Sequence, residues 1–126
     1  MRFDGQVAIV TGGVGGLGKG IVERLAGEGA EVVIFDMDER AMGATVEGLS
    51  KEGYRVGSRK VDVTDEESVR EGVAAAVKES GRLDIVVNCA GILGPNNHKI
   101  TEVDMATYDA TLAVNLRGSY LMAKYS

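Results

Sequence analysis

The sequence predicts an α/β protein of the Rossmann type: a parallel sheet with helices on both faces. Three observations carry that reading. An apolar strand, Val7-Ala8-Ile9-Val10, runs straight into the glycine-rich stretch Thr11-Gly12-Gly13-Val14-Gly15-Gly16-Leu17-Gly18. A second apolar strand, Glu31 to Phe35, ends on Asp36, about 20 residues past the loop, as in a dinucleotide-binding βαβ unit. Strand-like and helix-like segments then alternate, which with right-handed crossovers gives four strands in the order 3-2-1-4. Residues 1–126 therefore read as one nucleotide-binding domain. The ligand is expected at the switch point between strands one and four.

Each element has a local reason. The first helix is expected from Leu17 to Glu28, burying Ile21, Val22, Leu25 and Ala26, with Gly27 and Gly29 ending it. A second, from Glu39 to Glu52, is weakened by Gly43 and Gly48. Tyr54 to Val61 is a third strand whose lower apolar content suits a sheet edge. Thr64-Asp65-Glu66-Glu67 has the spacing of a capping box, in which Thr64 bonds the N–H of Glu67 and Glu67 reaches back. The helix it opens is predicted to run to about Glu79 and to bury Val69, Val73, Ala76 and Val77. The uninterrupted apolar character of Leu83-Asp84-Ile85-Val86-Val87 predicts a strand covered on both faces. A loop from Ile92 to Ile100 leads into a long helical pattern from about Thr101 onward.

The glycines suggest the chemistry. Gly12 allows a sharp turn off the first strand, where a side chain would clash or φ must be positive. Gly16 leaves room for a pyrophosphate, and Gly18 lets the new helix pack closely. Gly15 and Leu17 complete the turn into a helix whose first N–H groups and dipole suit phosphate. Asp36 can accept from the ribose hydroxyls of NAD and would repel the 2′-phosphate of NADP. No Lys or Arg lies in the loop before Gly16 to offset that repulsion, so the residues point to NAD. The plainer role for Asp36 is a strand-end turn or cap with Asp38.

Composition narrows the function classes. A 126-residue chain with 44% hydrophobic and 26% charged residues has the make-up of one globular domain. Its net charge of −5 argues against nucleic acid or an anionic membrane surface as partner. No apolar run is long enough to span a bilayer, and no basic-then-apolar signal pattern opens the chain. A lone cysteine, Cys89, rules out an internal disulfide framework and suits a reducing cytoplasm. With one His and no Cys/His clustering, no metal site is expected.

Taken together, these motifs resemble the N-terminal half of the short-chain dehydrogenase/reductase family along the whole chain. Thr11-Gly12-x-x-x-Gly16-x-Gly18 has that family's glycine spacing. Asp62-Val63 is similar to its adenine-contacting pair, and Asn88-Cys89-Ala90-Gly91 to its Asn-Asn-Ala-Gly segment with Cys89 in place of the second Asn. The resemblance implies that Asn88, Ala90 and Gly91 steady the sheet centre and line the cofactor ribose. It also implies that Asn115, in Val114-Asn115, belongs to the catalytic tetrad and holds a proton-relay water. Each residue has a plainer alternative. Asp62 could merely precede the Thr64 cap, and Asn88 could be a turn residue. An Asn115 within a helix would ordinarily face solvent, and His98 is better read as a loop residue than a substrate contact.

The same resemblance implies a Ser and a Tyr-x-x-x-Lys on a later strand and helix, expected beyond residue 126. Ser119-Tyr120-Leu121-Met122-Ala123-Lys124 imitates that motif. Tyr120 and Lys124 share a helix face, but Ser119 points about 100° away from Tyr120. A packing role suits Tyr120 better. With four strands the fourth becomes an edge, and the last helix is expected to bare Leu112, Leu116, Leu121 and Met122. A homo-oligomer through the C-terminal helix, or further chain, would cover them. The expectation is an NAD-dependent oxidoreductase acting on a small-molecule alcohol or ketone, with little turnover from these residues alone. A non-catalytic NAD-binding module is the alternative.

Overall fold

The computed structural model describes residues 1–95 and 97–126. Position 96, within the expected 92–100 loop, lies outside the described residues. Strands β1 (Val7–Thr11), β2 (Glu31–Asp36), β3 (Val56–Lys60) and β4 (Ile85–Asn88) form one sheet. All pairs are parallel, and the spatial order is β3-β2-β1-β4. Crossovers run through α1 (Gly16–Gly27), α2 (Glu39–Lys51) and α3 (Glu66–Ser80). After β4 come a 3-10 turn (Ile100–Glu102), α4 (Met105–Leu112), a π-helical turn (Ala113–Arg117) and α5 (Gly118–Tyr125).

Strand alternation divides the core into two layers. Ala8, Val10, Val32 and Ile34 pack with Val22, Leu25 and Ala26 of α1 and with Met42 and Leu49 of α2. Ile9 and Phe35, one residue out of phase, pack on the other side with Val69, Val73 and Ala76 of α3 and with Leu121 and Met122. Successive strand residues point to opposite faces, so each central strand feeds both layers. Helix α2 runs unbroken through Gly43 and Gly48 because Met42 and Leu49 anchor it. Burial of two such side chains, about 1.5–3 kcal/mol each, exceeds the cost of two helical glycines, about 1 kcal/mol each.

Four local expectations are corrected. Asp65, not Thr64, caps α3, accepting from the N–H groups of Glu67 and Ser68. The Thr64 hydroxyl is committed to Asp62 Oδ1 at 2.6 Å, and the Glu67 carboxylate pairs with Arg70. Val77 sits at the solvent margin of α3, 36% exposed, with Val73 and Ala76 inside. β4 is only half-buried, since it forms one edge of the sheet. Leu112 and Leu116 are exposed as expected, but Leu121 and Met122 are buried at 3% and 0%, so the last helix turns those two side chains inward and bares Tyr120.

Candidate nucleotide-binding site

The C-terminal ends of the strands converge on one cleft of about 350 Å³, within the range of small-ligand pockets. Its floor is the glycine turn. Gly12 has φ +66°, and a Cβ there would lie 2.8 Å from Ala90 N and from the Cys89 carbonyl. Gly18 passes beneath: its Cβ would stand 2.0 Å from the Gly12 carbonyl oxygen. That close approach is between the helix start and the turn itself, rather than between helix and sheet. Gly16 meets nothing within 4 Å, so its face is open. No side chain caps α1, and its first turn carries no acidic residue. An uncapped helix start beside an open glycine is the cradle a pyrophosphate needs.

Thr11, which closes β1, ties the two sides of this floor together. Its buried hydroxyl accepts from Cys89 N at 3.2 Å and Ala90 N at 3.1 Å. The last turn of β4 is thereby pinned against the glycine loop. A hydroxyl at the end of an apolar strand was the available signal, and sequence reasoning gave Thr11 no role of its own.

The predicted site residues fall into two groups. Gly12, Gly15, Asp36, Asp62, Val63, Ala90 and Gly91 line the cleft. Gly16 and Leu17 lie at the start of α1, with Leu17 77% exposed, and Gly18 supports the turn from below. Asn88 ends β4 opposite Thr11. Cys89 is half-buried on the cleft wall. Val14, Phe35, Met37, Val61, Thr64 and Val114 also contribute to the lining and were not anticipated.

Both carboxylates serve turns as well as the cleft. Asp36 Oδ1 accepts from Asp38 N at 3.1 Å, and Asp62 Oδ1 accepts from the N–H and hydroxyl of Thr64. Each turn uses one carboxylate oxygen, Oδ1, so the plainer reading and the nucleotide reading are compatible. Lys60 stands opposite Asp36 in the parallel register, a cation that a survey of the glycine loop alone overlooks.

Asn115 occupies the π-helical turn. Its Oδ1 accepts from Ile92 N at 2.8 Å and its Nδ2 donates to Ile92 O at 2.9 Å. The side chain is exposed, and its amide clamps the loop that leaves β4. The Tyr120–Lys124 pair forms no site. Tyr120 is 68% exposed, while Lys124 Nζ and the Tyr125 hydroxyl both donate to Glu66 Oε2 on α3.

A β1–glycine turn–α1 unit, an acidic end to β2 and a cleft at the switch point define a Rossmann-type nucleotide-binding protein. Residues 6–125 match the short chain dehydrogenase family, and the chain belongs to it. It is 34% identical to short-chain dehydrogenase reductase 5 of Arabidopsis thaliana over 99% of this chain and 47% of that protein. The crystal structure of gox2181 superposes with a TM-score of 0.95 at 38% identity, covering 98% of this chain and 48% of that one. A metagenomic short-chain oxidoreductase solved in complex with NADP superposes at 0.93 with 30% identity, over 99% of this chain and 56% of that one. The chain thus spans about half the length of the relatives it matches. The family is one of NAD(P)-dependent oxidoreductases. No helix among the described residues is long and apolar enough to cross a membrane, and none of their His, Cys, Asp or Glu side chains gather in threes as a metal would require.

Proposed function

We propose that residues 1–126 are the cofactor-binding half of an NAD-dependent alcohol dehydrogenase or carbonyl reductase. The observation that carries this reading is the cleft in which Gly12, Gly15, Asp36, Asp62, Ala90 and Gly91 meet beside the uncapped start of α1. In this reading the helix start and Gly16 hold the pyrophosphate. Asp36 accepts from the adenosine ribose, Asp62 and Val63 flank the adenine, and Asn88, Ala90 and Gly91 line the nicotinamide side. The nicotinamide supplies the hydride donor or acceptor when bound.

Asp36 favours NAD, since its charge opposes a 2′-phosphate. NADP bound to similar solved structures makes the preference a point to test. Asn115 spends its side-chain amide on Ile92, so its contribution to a proton relay falls to its main chain and to the loop it fixes. The Ser and the Tyr-x-x-x-Lys of the reaction belong outside residues 1–126, because Tyr120 faces away from the cleft lining and Lys124 is paired with Glu66. The proposed partner is a small alcohol or ketone, with neither nucleic acid nor a membrane involved and a cytoplasmic setting. The exposed stripe Met105, Tyr108, Leu112, Leu116 and Tyr120 supports a homo-oligomer through the C-terminal helix.

Fluorescence titration of the 126-residue chain with NADH tests this reading. Saturable binding in competition with NAD, without turnover of alcohols, is the expected result. Absence of binding overturns the nucleotide assignment, and rapid turnover overturns the placement of the catalytic Tyr and Lys outside it. The denatured mass of the natural gene product provides a second check, expected at about twice that of this chain.

A further inference from the structure

The stretch from Val114 to Gly118 touches both walls of the nucleotide cleft. Val114 lines it, and Asn115 grips Ile92 on the β4 side. Residues two apart on a helix point to opposed sides. Arg117 accordingly reaches the other way, and its Nη1 donates to Thr64 O at 2.7 Å, across 53 residues of sequence. Gly118 follows it onto the same wall: a Cβ there would come within 2.9 Å of Val63 Cγ2, so a larger residue would have to displace that side chain.

The 62–64 turn needs such a hold. It leaves β3, which is an edge strand of the sheet among the described residues. Inside the turn, Thr64 is bound twice to Asp62 Oδ1, and Ser68 Oγ accepts from Asp62 N at 3.0 Å. These contacts shape the turn without linking it to the helix across the cleft. Apolar packing of Val63 with Gly118, Leu121 and Met122 makes one link. Arg117 adds the polar one, and through Thr64 it acts on Asp62 and Val63, the pair assigned to the adenine.

We propose that Arg117 is a positioning residue for the adenine wall: its guanidinium fixes the Asp62–Thr64 turn at the distance from the π-helical turn that an adenine ring requires. The proposal rests on the nucleotide reading above. It makes a distinction that general destabilisation does not, because only the adenine half of the cofactor should register the loss.

The test compares NADH with reduced nicotinamide mononucleotide, which lacks the adenosine half, by fluorescence titration of the natural gene product. Arg117→Met is expected to weaken NADH about five- to tenfold, in line with loss of one charge-assisted hydrogen bond. Binding of the mononucleotide should stay unchanged. Arg117→Lys retains a donor and should restore NADH binding to within about threefold of the original. The positioning role is overturned if Arg117→Met leaves NADH untouched, if it weakens both ligands equally, or if lysine does no better than methionine. Failure of the unsubstituted protein to bind NADH overturns the nucleotide reading along with it.

Discussion

The Gly12 carbonyl oxygen lies 2.0 Å from the position a Cβ on Gly18 would take, whereas a Cβ on Gly16 would meet nothing within 4 Å. Two glycines of one motif therefore do different work. Gly18→Ala forces backbone apart and should destabilise the protein by about 2 kcal/mol or more. Gly16→Ala sits at the first residue of α1 and should shift stability by no more than about 1 kcal/mol. Its added methyl nevertheless occupies the open face assigned to pyrophosphate, so NADH affinity should fall at least about tenfold. Urea unfolding of both variants beside an NADH titration separates the roles. A Gly16→Ala protein that binds normally would remove the pyrophosphate from this turn.

Asp36 invites a substitution that keeps its turn. Its Oδ1 holds Asp38 N at 3.1 Å, a bond an asparagine oxygen can retain while the charge is lost. Asp36→Asn should weaken NAD and strengthen NADP, since Lys60 then stands in register without an opposing carboxylate beside it. The ratio of NAD to NADP affinity should drop at least about tenfold. Parallel loss of both cofactors would reduce Asp36 to its structural role.

How much of this was legible beforehand depended on how local each decision was. The Gly12 turn, the Asp36 strand end and the sheet order follow from short-range spacing and chain handedness, and they appear as expected. The α3 cap did not, because Thr64 and Asp65 are both good capping residues and the choice was made by Asp62, which takes the Thr64 hydroxyl. The rotation of the last helix was decided by α3, whose Val69 and Val73 draw Leu121 and Met122 inward. Nothing in residues 101–126 read alone distinguishes that side from the one bearing Leu116 and Tyr120. The π-helical turn at Asn115 has no sequence signature either, since it answers to loops 23 and 53 residues away.

Asn115 and Ile92 make a second testable pair. The amide clamp leaves the Ile92 N–H and C=O satisfied by a side chain rather than by the sheet. Asn115→Leu removes both partners, at about 1 kcal/mol per hydrogen bond. Amide exchange at Ile92, followed by NMR, should accelerate several-fold while β1 and β2 amides keep their protection. Unchanged exchange at Ile92 would show that the loop holds its shape without Asn115.

Asp84 ties the start of β4 to β1 by charge. Its carboxylate accepts from Arg82 Nε and Nη2 at 2.8 and 2.6 Å and from Val7 N at 2.9 Å. The Arg82 guanidinium first, and then the Val7 N–H, hold its carboxyl below the usual carboxylate range. A depressed carboxylate contributes stability above its unfolded-state value, about 4, and loses it as pH falls through the lower folded value. Asp84→Asn should therefore lower Tm near pH 7, and the gap to the original protein should close as pH falls through the lowered folded-state value of the carboxyl. A gap independent of pH would mean that the side chain acts by shape and hydrogen bonding alone.

The apolar stripe on α4 and α5 sets the last prediction. Met105, Tyr108, Leu112, Leu116 and Tyr120 recur every three or four residues and are 64%, 49%, 37%, 66% and 68% exposed. At that spacing they share one face, while Leu121 and Met122 of the same helix are buried against the other layer of the core. Substituting Leu116 and Tyr120 removes no core contact, so the fold should survive. A glutamate at each position puts two like charges into any two-fold self-contact along this stripe. Leu116→Glu/Tyr120→Glu should sediment as a smaller species than the unsubstituted protein at equal concentration, with unchanged circular dichroism. An unsubstituted protein already monomeric at 100-fold higher concentration would assign the stripe to something other than a second copy of this chain.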